Sequence, residues 1–105
     1  MLTRVTKGSG NVFLDLGFEP AVAENLRIRS KLMIALTGYI QDRKLTQLRA
    51  AKLMGVAQPR ISDLVRGKIG NFTIDTLVNM ATAAGLKVDL AVAVGAPTTR
   101  RKRVA

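Results

Sequence analysis

The side chains that most often carry out enzyme chemistry are scarce in this sequence. Its 105 residues include no histidine and no cysteine, which removes the commonest general base, the commonest metal ligand and any nucleophilic thiol. Seven carboxylates remain, scattered along the chain as Asp15, Glu19, Glu24, Asp42, Asp63, Asp75 and Asp89. We therefore expect no catalytic residues, no metal site and no cofactor, and a binding protein is favoured over an enzyme.

Positive charge is the chemistry that the sequence does carry, and it is concentrated. Residues 43–68 set seven basic side chains against the acidic Asp63, and these seven are Arg43, Lys44, Arg49, Lys52, Arg60, Arg66 and Lys68. The terminal run RRKR (100–103) adds four more, and the two segments account for the formal net charge of +10. Charge concentrated in this way favours a polyanionic partner, usually nucleic acid. The terminal run is either a solvated end or an arm that binds phosphates.

A long helix is predicted before the basic segment. Pro20 suits a first turn, and from there to about Lys44 apolar residues recur at steps of three and four. They are Val22, Leu26, Met33, Leu36 and Ile40. Arg29 and Ser30 interrupt this pattern, so a break near Ser30 stays open. The short apolar segment NVFLDLGF (11–18) is expected to pack onto the next part of the chain through Val12, Phe13, Leu16 and Phe18.

Two short helices are predicted on either side of Gly55. Thr46 can cap the first, which ends at Gly55, and the second spans about residues 58–65. Ala51 offers the small side chain that lets the second helix lie close across the first. This arrangement is typical of a helix-turn-helix, in which a residue with positive φ often makes the turn. The apolar residues of the pair are expected in the core, and they are Ala50, Met54, Val56, Ile61 and Leu64.

The second helix of the pair is predicted to point a polar face outward, where it could enter a DNA major groove. This face comprises Gln58, Pro59, Ser62, Asp63 and Arg66. Asp63 is unusual there because its neighbours are basic and DNA phosphates repel it. It is expected either to accept a hydrogen bond from a cytosine amino group or to pair with Arg60 or Arg66.

A further helix and a strand are predicted after the motif. Thr73 can cap the helix, which ends at Gly85, and the alternating segment LKVDLAVAV (86–94) then predicts a β-strand. One strand cannot satisfy its own backbone, so we expect it to pair with the same strand of a second subunit across a two-fold axis. The predicted dimer interface is Val88, Leu90 and Val92, and such a dimer would read a palindromic double-stranded DNA operator.

The segment TQLRAAKLMGVAQPRISDLVRGK (46–68) resembles the helix-turn-helix of the Xre, or phage-repressor-like, family. Over residues 9–94, SGNVFLDLGF before the long helix and NFTIDTLVNMATAAGLKVDLAV after the motif look similar to the small HigA-type antitoxins of that family. The resemblance implies a homodimeric DNA-binding protein. It often implies a neighbouring gene for an mRNA-cleaving toxin of the HigB/RelE type, whose operon the antitoxin represses.

The same resemblance implies roles for individual residues. Gln47 would reach a phosphate and brace Gln58, which would pair with an adenine edge. The expected base contacts are Gln58, Pro59, Ser62 and Asp63. The expected phosphate contacts are Gln47, Arg43, Arg60, Arg66, Lys68 and Thr73. The sequence departs from the family pattern at Ala57, where a serine or threonine usually caps the recognition helix, so this helix end is expected to be loose without DNA.

The pattern as a whole predicts a mainly α fold, a repressor-like bundle of four to five helices with a C-terminal strand. Its parts would be an arm and packing segment (1–19), a DNA-binding domain (20–85, motif 46–66), a dimerisation strand (86–95) and a basic disordered tail (96–105). The longest apolar stretch, LAVAVGA (90–96), is too short to cross a membrane, and a cytoplasmic location is expected. Three functions stay open: an autorepressing antitoxin, a free-standing or prophage regulator without a toxin, and a module that neutralises a toxin without binding DNA.

Overall fold

The computed structural model describes residues 10–94, and this part of the chain contains five α-helices. The helices are α1 (Val12–Asp15), α2 (Pro20–Asp42), α3 (Gln47–Met54), α4 (Gln58–Val65) and α5 (Ile74–Ala83), and a short 3-10 turn (Ile69–Asn71) lies between α4 and α5. The predicted helical fold and its helix-turn-helix, α3 and α4, are confirmed. None of the described helices is both long and apolar enough to cross a membrane. The basic run at 100–103 and the arm at 1–9 lie outside the described residues.

The long helix α2 runs through Ser30 without a break. Its apolar pattern is interrupted because Arg29 has a structural partner across the fold. The Arg29 Nη1 donates hydrogen bonds to the backbone carbonyl oxygens of Ile69 (3.2 Å) and Phe72 (3.0 Å), while Nε donates to the side-chain oxygen of Asn25 (2.7 Å). A half-buried guanidinium is tolerated here because its donors satisfy the carbonyl groups of the turn that follows α4.

One apolar cluster joins α2, α3, α4 and α5. Its largest fully buried side chains are Phe72, Leu36, Met54, Ile61, Leu64, Leu77 and Met80. Ala50 and Ala51 are 0% and 4% exposed, and their small size lets α4 and α5 pack directly on α3. Full burial of one large apolar side chain contributes about 1.5–3 kcal/mol. The cluster therefore fixes the position of α4 relative to the rest of the domain.

The short helix α1 packs on α2, the next helix of the chain. Asn11 caps it, because its side-chain oxygen accepts a hydrogen bond from the backbone N–H of Phe13 at 2.9 Å. Phe13 is half-buried and meets the ring of Phe18 edge-on, with 6.3 Å between centroids. Val12, Leu16 and Phe18 are 59%, 70% and 45% exposed. The helix therefore packs on α2 as predicted, but Val12, Leu16 and Phe18 keep much of their surface exposed.

Residues 86–94 form neither helix nor strand in the described chain. Leu86 packs partly on the core, whereas Val88, Leu90 and Val92 are 40%, 80% and 86% exposed. A strand needs the hydrogen-bonding edge of a neighbouring strand, and residues 10–94 of one chain provide none. The C-terminal strand and the dimer interface through these side chains therefore stay predictions.

Candidate nucleic-acid interface

The turn between α3 and α4 has the caps that the sequence predicts. Thr46 Oγ1 caps the start of α3 by accepting a backbone N–H at 3.1 Å, and Gly55 ends that helix with φ 70°. The N–H groups of Gly55 and Val56 both return to the carbonyl oxygen of Ala51. A Cβ added at Gly55 would lie 3.9 Å from the Cβ of Ala83, which is ordinary contact. Glycine is therefore needed for its left-handed backbone, which costs other residues about 1–2 kcal/mol, rather than for space.

The helix α4 buries one face and presents the other. Ile61 and Leu64 are 0% and 1% exposed and hold the helix against α2 and α3. The other face contributes to a shallow surface hollow, the α4 depression, which is lined by Gln47, Gln58, Pro59, Ser62, Asp63 and Arg66. All four predicted base contacts and two of the predicted phosphate contacts line it. Helical spacing and the turn at Gly55 thus bring these six side chains onto one surface.

Gln47 and Gln58 both line the α4 depression, but the predicted bracing between them is not formed. No hydrogen bond joins their side chains in the described part of the chain. Gln58 occupies the first position of α4 and is exposed. Its amide therefore keeps a donor and an acceptor together, which is the pair that an adenine edge requires.

Asp63 has a partner that the sequence analysis missed. Its Oδ2 accepts a hydrogen bond from Nδ2 of Asn71 at 3.1 Å. In the described chain it forms no ion pair with Arg60 or Arg66, so pairing with those arginines is the wrong alternative. Asn71 ends the 3-10 turn, which spans three residues and is too short to leave a periodic signal in the sequence.

Arg60 lies against the same turn. Its Nη1 donates to the backbone carbonyl oxygen of Asn71 at 2.8 Å, and its guanidinium lies over the ring of the buried Phe72, 5.4 Å from the centroid. A guanidinium has five N–H donors, and the other donors of Arg60 have no protein partner among the described residues. Arg60 is therefore held in one place while donors remain for a phosphate.

The other predicted phosphate contacts lie at three different places. Lys68 is exposed just beyond α4. Arg43 follows α2, with its guanidinium 4.8 Å from the ring centroid of Tyr39. The Thr73 hydroxyl caps α5 by accepting the backbone N–H of Thr76 at 3.1 Å, and Thr73 lines a separate depression beside α2. Arg43 and Thr73 thus lie outside the α4 depression, and no structural contact assigns them to it.

The basic segment is not neutralised by internal ion pairs. Within residues 10–94 the ion pair is between Arg27 and Glu24 on α2, at 2.6 Å, and the hydrogen bond from Arg27 lowers the pKa of the Glu24 carboxyl group. The basic side chains of residues 43–68 form no ion pair in the described chain. Positive charge that is not compensated in this way attracts a polyanion at long range.

The first turn of α4 lacks a side-chain cap, as Ala57 predicts. Ala57 has φ −74° and ψ 152°, almost the geometry of Thr46, which has φ −71° and ψ 162°. Only Thr46 supplies an oxygen to the helix it precedes. Pro59 has no backbone N–H to satisfy, and the N–H of Arg60 turns back to the Ala57 carbonyl oxygen at 2.9 Å. The start of α4 is therefore less well secured than the start of α3.

The fold and the surface of α4 define a helix-turn-helix protein. Residues 12–93 match a family model described as a helix-turn-helix domain, and the chain belongs to that family. A solved structure whose name assigns it to the XRE family of transcriptional regulators is 25% identical, with a TM-score of 0.65 over 79% of this chain and 93% of that one. A search of curated proteins gives no match. The family and the fold are those of a DNA-binding regulator, and the similarity to this solved structure supports the Xre type.

Proposed function

We propose that the chain is a sequence-specific DNA-binding transcriptional repressor. The α4 depression supports this proposal most directly, because hydrogen-bonding side chains of one packed helix line it together with Gln47 from the preceding helix. Reading of a major groove requires such donors and acceptors on a rigid element of helical width. Uncompensated basic residues around the same helix would supply the affinity that does not depend on sequence.

In this proposal α4 is the recognition helix. Gln58 pairs with the N6 and N7 atoms of an adenine, and Pro59 touches a thymine methyl group. Ser62 and Asp63 contact bases further along the groove. The phosphate contacts are Gln47, Arg43, Arg60, Arg66, Lys68 and Thr73. Such contacts position the helix without reading sequence.

The proposed repressor is a homodimer that binds a palindrome. Val88, Leu90 and Val92 alternate along residues 86–94, and their exposure in the single chain leaves them available to a second copy. Pairing of this segment with itself across a two-fold axis would cover its apolar side chains and satisfy its backbone. The two α4 helices would then stand about one turn of DNA apart, ~34 Å.

A role as the antitoxin of an autorepressed operon is the second proposal, and exposed apolar side chains favour it. Val12, Leu16 and Phe18 are exposed apolar side chains in α1 and just after it, beside α2, and exposed apolar groups in one region often mark a protein partner. The proposed partner is a toxin of the HigB/RelE type, encoded by a gene next to the gene of this chain. A free-standing or prophage regulator would lack this neighbour, and a module that only neutralises a toxin would lack DNA affinity.

Fluorescence anisotropy with the full chain tests DNA binding. The probe is a labelled duplex from the region that precedes the chain's own gene, and the control is a scrambled duplex of equal length. We expect preference for the native duplex of about 10³-fold or more, and a logarithm of the affinity that falls linearly with the logarithm of salt concentration. Equal affinity for both duplexes would reject sequence specificity, and absence of salt-sensitive affinity would reject DNA binding.

Co-expression with the product of the adjacent gene tests the antitoxin role. The chain is expected to form a complex with that product and to restore growth that the product arrests. Leu16→Ser should weaken the complex without changing DNA affinity, because Leu16 lies at the end of α1 and outside the α4 depression. An adjacent product that neither binds the chain nor arrests growth would leave a regulator without a toxin.

A further inference from the structure

We propose that Asn71 positions Asp63 to select a cytosine in each DNA half-site. The inference rests on the proposed DNA-binding function and extends it to the class of base that one residue reads. It also assigns a part in recognition to a side chain outside the helix-turn-helix.

Asp63 stands at the boundary of two surface hollows. It lines the α4 depression, and it also lines a neighbouring hollow with Ala57, Arg60 and Asn71. The Asn71 amide occupies Oδ2 of the carboxylate at 3.1 Å, while Oδ1 has no hydrogen-bond partner in the described chain. One oxygen is therefore anchored on the side of the turn, and the other remains able to accept a hydrogen bond.

The turn that carries Asn71 is itself secured from two helices. Arg60 on α4 donates to the Asn71 carbonyl oxygen at 2.8 Å. Arg29 on α2 donates to the carbonyl oxygens of Ile69 and Phe72, on either side of Asn71. Phe72 is 1% exposed. The amide that holds Asp63 is therefore supported by backbone contacts that do not depend on the Asn71 side chain.

The fixed carboxylate has a definite preference among base edges. An ionised carboxylate only accepts hydrogen bonds. In the major groove cytosine presents an amino donor, guanine presents two acceptors, thymine presents an acceptor and adenine presents a donor beside an acceptor. A carboxylate therefore gains at cytosine and is repelled by guanine and thymine. Repulsion of the wrong partner supplies specificity even where it adds no affinity, which accounts for an acidic residue in a segment that is otherwise basic.

Selection of binding sites from a library with a randomised half-site tests the assignment. The full-length chain is compared with Asn71→Ala, Asp63→Asn and the control Asn79→Ala, which alters an asparagine on α5 that has no side-chain hydrogen bond in the described chain. The wild type and the control should prefer cytosine at one position by about tenfold or more. Asp63→Asn should move the preference at that position to adenine, because an amide offers the donor and acceptor that adenine pairs with.

Asn71→Ala should reduce the cytosine preference to less than about threefold while the other positions keep theirs. Its affinity for mixed-sequence DNA should match that of the wild type, and its thermal unfolding should show no more than the small loss expected from one exposed hydrogen bond. An unchanged cytosine preference in Asn71→Ala would overturn the inference, as would an equal loss at every position, which indicates a structural role alone. A wild-type preference for another base at the position that Asp63→Asn alters would also overturn it. Failure of the wild type to enrich any sequence would instead overturn the proposed function.

Discussion

The uncapped start of α4 allows a gain of stability from one added hydroxyl group. Ala57 and Thr46 hold nearly the same extended backbone conformation, so a threonine at position 57 can place its oxygen as Thr46 does. The oxygen would accept the N–H of Arg60, the third residue of α4, as Thr46 accepts that of Arg49. We therefore expect Ala57→Thr to stabilise the folded chain.

The expected gain is at the lower end of the range for helix caps. Replacing a capping residue by alanine usually costs about 0.5–2 kcal/mol. Here Pro59 has no N–H to satisfy, and the Arg60 N–H already bonds to the Ala57 carbonyl oxygen at 2.9 Å. We expect about 0.5–1 kcal/mol, or roughly 2–6 °C in the melting temperature of a domain of this size.

Urea denaturation followed by circular dichroism measures the effect, and Ala57→Val is the matched control. Valine has the shape of threonine without the oxygen, so the difference in the free energy of unfolding between the two variants measures the contribution of the capping hydrogen bond. Amide exchange at Arg60 should also slow by about twofold to fivefold in Ala57→Thr, the factor that corresponds to the same free energy. If Ala57→Thr proved no more stable than Ala57→Val, the inference that the start of α4 lacks a side-chain acceptor would be refuted.

Three further sets of substitutions test the interface, the turn after α4 and the dimer. Gln58→Ala should reduce discrimination for the operator by about 1–3 kcal/mol, whereas Arg66→Ala should weaken binding to every DNA sequence about equally and lower the slope of log affinity against log salt concentration by about one. Competition binding at several salt concentrations separates the two effects. An unchanged operator preference in Gln58→Ala would contradict the recognition role of α4. Arg29→Met should cost about 1–2 kcal/mol because the carbonyl groups of the turn lose a charged donor, and urea denaturation should show a smaller loss for the control Arg27→Met on the surface of the same helix. Leu90→Lys should leave the fold of one chain intact but disrupt the proposed dimer, because an unpaired charge buried in the dimer interface costs several kcal/mol of association free energy. Sedimentation measures the oligomeric state, and a variant that still sediments as a dimer would place the interface elsewhere.

Local signals in the sequence predict the helix boundaries well. Thr46, Gly55 and Thr73 act through backbone groups within four residues of themselves, so their effect is visible without knowledge of the fold. The same holds for the buried positions Ile61 and Leu64, which helical spacing places on one face. The α4 depression could be predicted for this reason, because most of its lining residues belong to one regular helix.

Contacts between distant residues could not be predicted in the same way. Arg29 bonds to carbonyl groups 40 and 43 positions away, and a backbone carbonyl group carries no residue type that a sequence pattern could reveal. Asn71 reaches Asp63 from a turn of three residues. The exposure of Val12, Leu16 and Phe18 has a related cause. An apolar pattern predicts that side chains will be buried, but it does not identify the part of the chain, or the partner, that buries them.

The helix α4 must be stabilised by its tertiary contacts rather than by the helix propensity of its own residues. Isolated helices shorter than about 12–15 residues are marginal in water, and α4 has eight residues and no side-chain cap. Burial of Ile61 and Leu64 and the hydrogen bond from Arg60 to the Asn71 carbonyl oxygen therefore maintain the helix. These contacts begin at Arg60, the third residue of α4, so Gln58 and Pro59 are the part of the helix that they hold least. We infer that a cap at position 57 would raise operator affinity as well as stability, because binding would then have less of the helix left to order.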